Sequence, residues 1–178
     1  LFRSYVCCYG KTTQFTKDLL INLAGTKITP SQMYFLPKIH KIPVALRPIC
    51  ASTKSSTYNA SKYLDIILQP TMKNISSFIR NSGELVCKLE AMVFPSYCQL
   101  LEADVENLYP SINIEDGLNS LHLALVRHMW AITEIESLVV LARWVLTNNY
   151  IQFGDRYYLQ LMGTAMGTPF TVTFACIR

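Results

Sequence analysis

Apolar residues along this chain change period several times, and each change marks an element. Leu36-Pro37-Lys38-Ile39-His40-Lys41 is followed after Pro43 by Leu46-Arg47-Pro48-Ile49. Because each X-Pro step pushes its preceding residue toward extended backbone, the pair reads as two short strands joined by a loop. From Ser56 to Gln69 the spacing becomes helical. Tyr63, Leu64, Ile67 and Leu68 fall on one face, Lys62 and Asp65 face outward, and Pro70 is expected to stop the helix. Cys98 to Val105 is a compact apolar run with an acidic residue near its end, which predicts a strand delivering Asp104 to its tip.

Two packing helices follow. One begins near Asn113 with Glu115 and Asp116 in its first turn; the next begins at Thr133, where Thr133-Glu134-Ile135-Glu136 reads as a capping box. Tyr150 to Phe153, Gly154-Asp155 and Arg156 to Gln160 predict a hairpin, since glycine supplies the positive φ that a two-residue turn needs. Gly163 to Gly167 then reads as a loop. Thr168 as N-cap and Pro169 at the first helical position open a last helix through Phe170, Phe174 and Ile177. No internal repeat or low-complexity segment interrupts the series.

With 178 residues, 51% of them hydrophobic, the chain is long enough for one cored domain and excludes a disordered tail. Only 16% of residues are charged and mean hydropathy is +0.23, which points to core surface that further protein would cover. Membrane spans do not account for it. The uncharged stretch from Tyr157 to Ile177 is broken by Gly163, Gly167, Pro169 and several threonines, and the run from Leu138 to Leu146 is short and carries Arg143. The first residue is Leu1 and no signal peptide precedes it, so the chain reads as an internal, intracellular piece of a longer frame. The six cysteines include no C-x-x-C pair and His40, His122 and His128 lack ligand spacing, which argues against a thiolate metal site; Cys98 and Cys176, set in apolar runs, read as core residues.

Charge adds the first functional hint. The formal net charge is +4, and from Leu19 to Leu64 the chain carries Lys27, Lys38, Lys41, Arg47, Lys54 and Lys62 without one Asp or Glu. Such a stretch is either a solvated basic face or a surface that contacts phosphate.

Five blocks in order decide between these: Tyr34-Phe-Leu-Pro-Lys-Ile-His-Lys41, Leu46-Arg-Pro-Ile49, Asp104-x-x-x-Leu-Tyr109, the aromatic hairpin, and Gly163-Thr-Ala-Met-Gly-Thr168. Together they resemble the reverse transcriptase of Penelope-like retroelements, within the right-hand polymerase group that includes telomerase. The resemblance covers most of the chain. It implies an α+β fold, with residues 1–96 as a fingers-like region and 97–178 as an incomplete palm carrying inserted helices and a hairpin. The implied activity is RNA-directed DNA synthesis in a retrotransposon, on an RNA template and DNA primer, with deoxynucleoside triphosphates as substrates and a nuclear place of action.

Site residues follow from the same resemblance. Lys38 and Arg47 would contact the incoming triphosphate, a choice that physics supports because Arg offers a planar fork and Lys a point charge to phosphate oxygens. Asp104 matches the first polymerase carboxylate and Val105 would add its carbonyl, as ligands to two Mg2+ ions about 3.5–4 Å apart. Glu102 and Glu106, two positions either side, would share the strand face of Asp104 if extension continued, as alternative or auxiliary carboxylates. Tyr109 would lie beneath the sugar and exclude a ribose 2′-hydroxyl, Met166 stands where many reverse transcriptases carry Gln, and Gly167 would let backbone approach the nucleotide. Lys41, Lys54 and Lys62 would make diffuse contacts to nucleic-acid backbone. The sequence holds no Asp-Asp pair, so the aromatic-x-Asp-Asp block, the rest of the palm and the thumb are expected in further chain. These 178 residues alone are expected to be inactive; the alternative is a non-catalytic nucleic-acid-binding remnant of a retroelement.

Overall fold

A computed structural model describes residues 28–39, 42–99 and 101–178. Cys7, Cys8, Lys27, His40 and Lys41 lie outside them. The described residues form a mixed α/β structure with one four-stranded sheet and six helices. In chain order these are β1 (Ser31–Lys38), β2 (Ala45–Ala51), α1 (Tyr58–Lys73), α2 (Ser82–Glu90), α3 (Leu108–Ser111) and α4 (Ile114–Arg127). Then come α5 (Ile132–Thr147), β3 (Tyr150–Phe153), β4 (Arg156–Leu159) and α6 (Phe170–Ile177).

The two proline-marked strands pair antiparallel, Leu36 opposite Arg47 and Lys38 opposite Ala45. Pro37 and Pro48 are tolerated because prolines deny the ladder only their own N–H groups. Sheet order is β2-β1-β3-β4, with β3 parallel to β1 and antiparallel to β4. A parallel pair needs a long crossover, and here the helices α1 to α5 provide it. The sheet therefore joins the two halves of the chain. Between β3 and β4 the turn is the expected Gly154-Asp155, with φ +59 at Gly154.

The main core lies among α1, α4, α5 and α6, where Leu64, Leu68, Leu118, Leu121, Leu125, Leu141, Val145, Phe170 and Phe174 are buried. Gly117 on α4 is what lets α6 approach so closely: a Cβ there would stand 2.4 Å from the Phe174 ring. No helix among the described residues is long and apolar enough to cross a membrane.

Several sequence expectations are corrected. Helix α1 runs past Pro70 to Lys73, because Thr71 and Met72 remain buried and Asn74 N–H returns to the Pro70 carbonyl, so packing outweighs the one lost donor. Asp65 does not face solvent; it is half-buried and accepts hydrogen bonds from Thr173 Oγ1 and Gln69. Thr133 is no cap: α5 starts at Ile132, and the amides of Glu134 and Ile135 go to the Ala131 carbonyl. Cys98 and Cys176 are exposed, whereas among the described residues Cys50 is the buried thiol. Asn113 does cap α4, its side chain accepting from the Glu115 and Asp116 amides.

The largest departure concerns the Cys98–Val105 run, which forms no strand; Leu101 is 94% exposed and Val105 59%. A strand requires a neighbour to satisfy its backbone groups, and the described residues of this segment pair with neither β2 nor β4, the strands at the two edges of the sheet. Without that pairing, β propensity alone does not make a strand of the segment.

Candidate functional site

A cleft of about 850 Å³ opens beside the free edge of β2, between that strand, the 104–109 segment and the N-terminal part of α6. Its strand wall follows from pairing. Ala45, Arg47 and Ile49 alternate along β2 and so share one face, and Lys38 joins them from β1 because it sits opposite Ala45. Both cations line the cleft. Neither forms an ion pair with a carboxylate among the described residues, where the salt bridges are Lys88–Glu84 and Arg143–Glu115.

The opposite wall is Asp104, Val105, Glu106, Asn107, Leu108 and Tyr109. Asn107 holds φ +52 and ψ 45, the left-handed conformation that asparagine tolerates better than most residues, and this turns the exposed segment into α3. Tyr109, in the first turn of α3, is half-buried at the cleft.

The floor is the Gly163–Thr168 loop, which ties both walls together. Cys50 N–H donates to the Met166 carbonyl at 2.7 Å and Ser52 Oγ to the Gly167 carbonyl at 3.0 Å, fastening the loop to β2. At its other end Thr164 N–H donates to the Tyr109 carbonyl at 2.9 Å. Both glycines are needed here. At φ +69, Gly163 lies so near α3 that a Cβ would meet the Pro110 carbonyl oxygen at 2.5 Å; at φ +114, Gly167 would bring one to 2.4 Å from the Cys50 carbonyl oxygen. Glycine alone permits such approach.

Helix α6 does not start as expected from Thr168. Thr168 Oγ1 is buried without a partner, while the first free amide, Phe170 N–H, donates to Ser61 Oγ of α1 at 2.9 Å. A cap from a distant helix therefore replaces the local one, and α1 anchors the helix that closes the cleft through Thr171 and Val172.

The structure thus brings Lys38, Arg47, Asp104, Val105, Tyr109, Met166 and Gly167 around one cleft, with Glu106 beside them. Glu102, Lys54 and Lys62 do not line it. Lys54 and Lys62 are exposed elsewhere, and Lys41 lies outside the described residues. Residues not singled out from sequence are Ala45, Asn107, Thr171 and Val172. Of these only Asn107 carried a local signal, an asparagine just before a Leu-Tyr-Pro helix start.

A hard divalent cation takes several oxygen ligands, and two-metal chemistry needs carboxylates converging from more than one segment. Among the described residues no three His, Cys, Asp or Glu side chains come together. Asp104, Val105 and Glu106 all come from one stretch, so the residues present do not complete the Mg2+ site that the resemblance implies. What the cleft offers is two cations with no carboxylate partner among the described residues and a tyrosine in one lining, a combination suited to a phosphorylated aromatic or sugar-bearing ligand. The chain matches no protein-family model, no curated protein and no solved structure.

Proposed function

We propose that this chain is the nucleotide-binding part of a retroelement reverse transcriptase, and that its cleft receives a deoxynucleoside triphosphate. One observation carries the reading: residues from four separate sequence blocks, both cations expected to bind phosphate among them, line one cleft. Arg47 and Lys38 pair with triphosphate oxygens, the Tyr109 ring packs against the sugar, and Gly167 leaves room for the nucleotide beside the loop. An RNA template and DNA primer are the macromolecular partners in this reading. One aspartate at the cleft supports binding rather than nucleotidyl transfer by these residues alone, so no primer extension is expected of the 178-residue chain.

The test is calorimetric titration of deoxynucleoside triphosphates against the chain and a Lys38→Ala/Arg47→Ala variant. Hydrogen bonds to charged groups contribute about 1.5–3 kcal/mol each, so losing two should weaken binding by roughly 100-fold or more. Equal affinity in the two proteins would sink the proposal, whereas primer extension by the unaltered chain would overturn only the expectation that these residues alone are inactive.

A second reading, a non-catalytic nucleic-acid-binding remnant, is favoured by one feature. The sheet face that carries Arg47 and Lys38 continues through Leu36 and Tyr34 on β1 to Tyr150 on β3 and Tyr157 on β4, all exposed. Aromatic rings beside cations suit stacked bases of a single strand. In that reading the same double variant loses more affinity for a single-stranded oligonucleotide than for the triphosphate; in the polymerase reading the order is reversed.

A further inference from the structure

Beneath the cleft floor, on the side of α5, lies a second and much smaller cavity of about 10 Å³, lined by Thr57, Val145, Leu146, Asn149, Thr164, Ala165, Thr168, Phe170 and Thr171. Two of the lining residues carry buried hydroxyls, Thr164 Oγ1 and Thr168 Oγ1, without a hydrogen-bond partner. Their isolation stands out because the loop around them is otherwise tied down. The carbonyls of Ala165, Met166 and Gly167 accept from Thr171 Oγ1, Cys50 N–H and Ser52 Oγ respectively, and the Thr164 amide donates to Tyr109. Thr164 is only 3% exposed. Buried hydroxyls left dry each cost about 1–3 kcal/mol, and native structures avoid that in nearly every case.

We propose that this cavity is the binding site of a single structural water, which bridges the Thr164 and Thr168 hydroxyls. A cavity of this volume sits at the threshold for one water molecule, and a water is retained in such a place only where two to four polar groups meet it. Two hydroxyls supply the minimum, and Asn149, buried on the same wall with its Nδ2 already donating to Gln160, brings a third polar residue. The water joins both ends of the loop from below, behind Met166 and Gly167. It thereby stiffens the cleft floor whatever the cleft binds.

The experiment compares melting temperatures of the unaltered chain with Thr164→Val, Thr168→Val and the double variant. Valine keeps the shape and removes the oxygen. If a water bridges the hydroxyls, each single change lowers Tm by roughly 3 °C or more, and the double variant falls by less than the sum, because both act on one shared water. If the hydroxyls are dry, valine leaves Tm unchanged or raises it, which overturns the inference; strictly additive losses overturn the bridge as well. Should a valine variant fail to fold, a crystal structure of the unaltered chain decides. A solvent peak about 3 Å from both hydroxyl oxygens supports the site, and hydroxyls turned to protein partners, or a cavity without density, refute it.

Discussion

Gly167 gives the sharpest test of how the cleft is built. At φ +114 its backbone lies where an L side chain is strained, and a Cβ would stand 2.4 Å from the Cys50 carbonyl oxygen. Neither atom can yield cheaply. The Cys50 amide is held at 2.7 Å by the Met166 carbonyl and the Gly167 carbonyl by Ser52 Oγ, so relief of the clash pulls the loop off β2. For Gly167→Ala the backbone conformation costs about 1–3 kcal/mol, and loss of one of these hydrogen bonds adds about 1 kcal/mol. The sum, roughly 3 kcal/mol, corresponds to a Tm lower by about 6–12 °C in a chain of this size. Gly154→Ala is the internal control: it also holds a positive φ, +59, but nothing lies within 4 Å of its Cβ position. Only the conformational part, about 1–2 kcal/mol, applies there. Thermal unfolding followed by circular dichroism compares the two variants directly. If Gly167→Ala melts no lower than Gly154→Ala, the close approach of loop and strand is wrong, and with it the floor of the cleft.

Three further outcomes are expected. Ser61→Ala strips the Phe170 amide of its acceptor and should lower stability by about 1–2 kcal/mol in urea unfolding, while Ser61→Thr, which keeps the oxygen, loses less. The hydrogen bond from Arg143, and then its charge, hold the Glu115 carboxyl below its ordinary value of 4.5. Because the folded value is the depressed one, this pair contributes above the unfolded value and its contribution disappears as pH falls through the folded value. The small gap in urea midpoint between the chain and Arg143→Gln should therefore close on acidification from about pH 6 to about pH 3, and a gap constant across that range contradicts the assignment. Finally, Cys87 and Cys98 are exposed, whereas burial raises the Cys50 thiol above 9.0. Alkylation of the native chain at neutral pH should label Cys87 and Cys98 well before Cys50, as peptide mapping would read out.

Local rules account for much of this molecule. X-Pro steps predicted a pair of short strands where β1 and β2 lie, a Gly-Asp pair predicted the β3–β4 turn, and Asn113 announced α4, because each depends on backbone preferences within a few residues. Packing was less visible. Nothing near Pro70 says that Thr71 and Met72 will be buried strongly enough to carry α1 through it, and nothing near Asp65 says that Thr173 will find it. The run from Cys98 to Val105 had strand propensity, but its described residues join neither edge of the sheet.

From the sequence come the side chains that line the cleft, among them two of the six cations in a stretch free of acids, an aspartate ahead of a tyrosine, and a glycine at each end of a short loop. Side-chain chemistry and single φ preferences are legible one residue at a time, but it took the resemblance to reverse transcriptases to single these residues out. Only the tertiary structure decided that these residues meet, because their meeting rests on long-range contacts: β1 beside β3, Cys50 bonded to Met166, Thr164 bonded to Tyr109, and Ser61 capping α6. Each such contact joins groups far apart in the chain, whose mutual approach is set by loop closure and by burial of the common core rather than by any local preference.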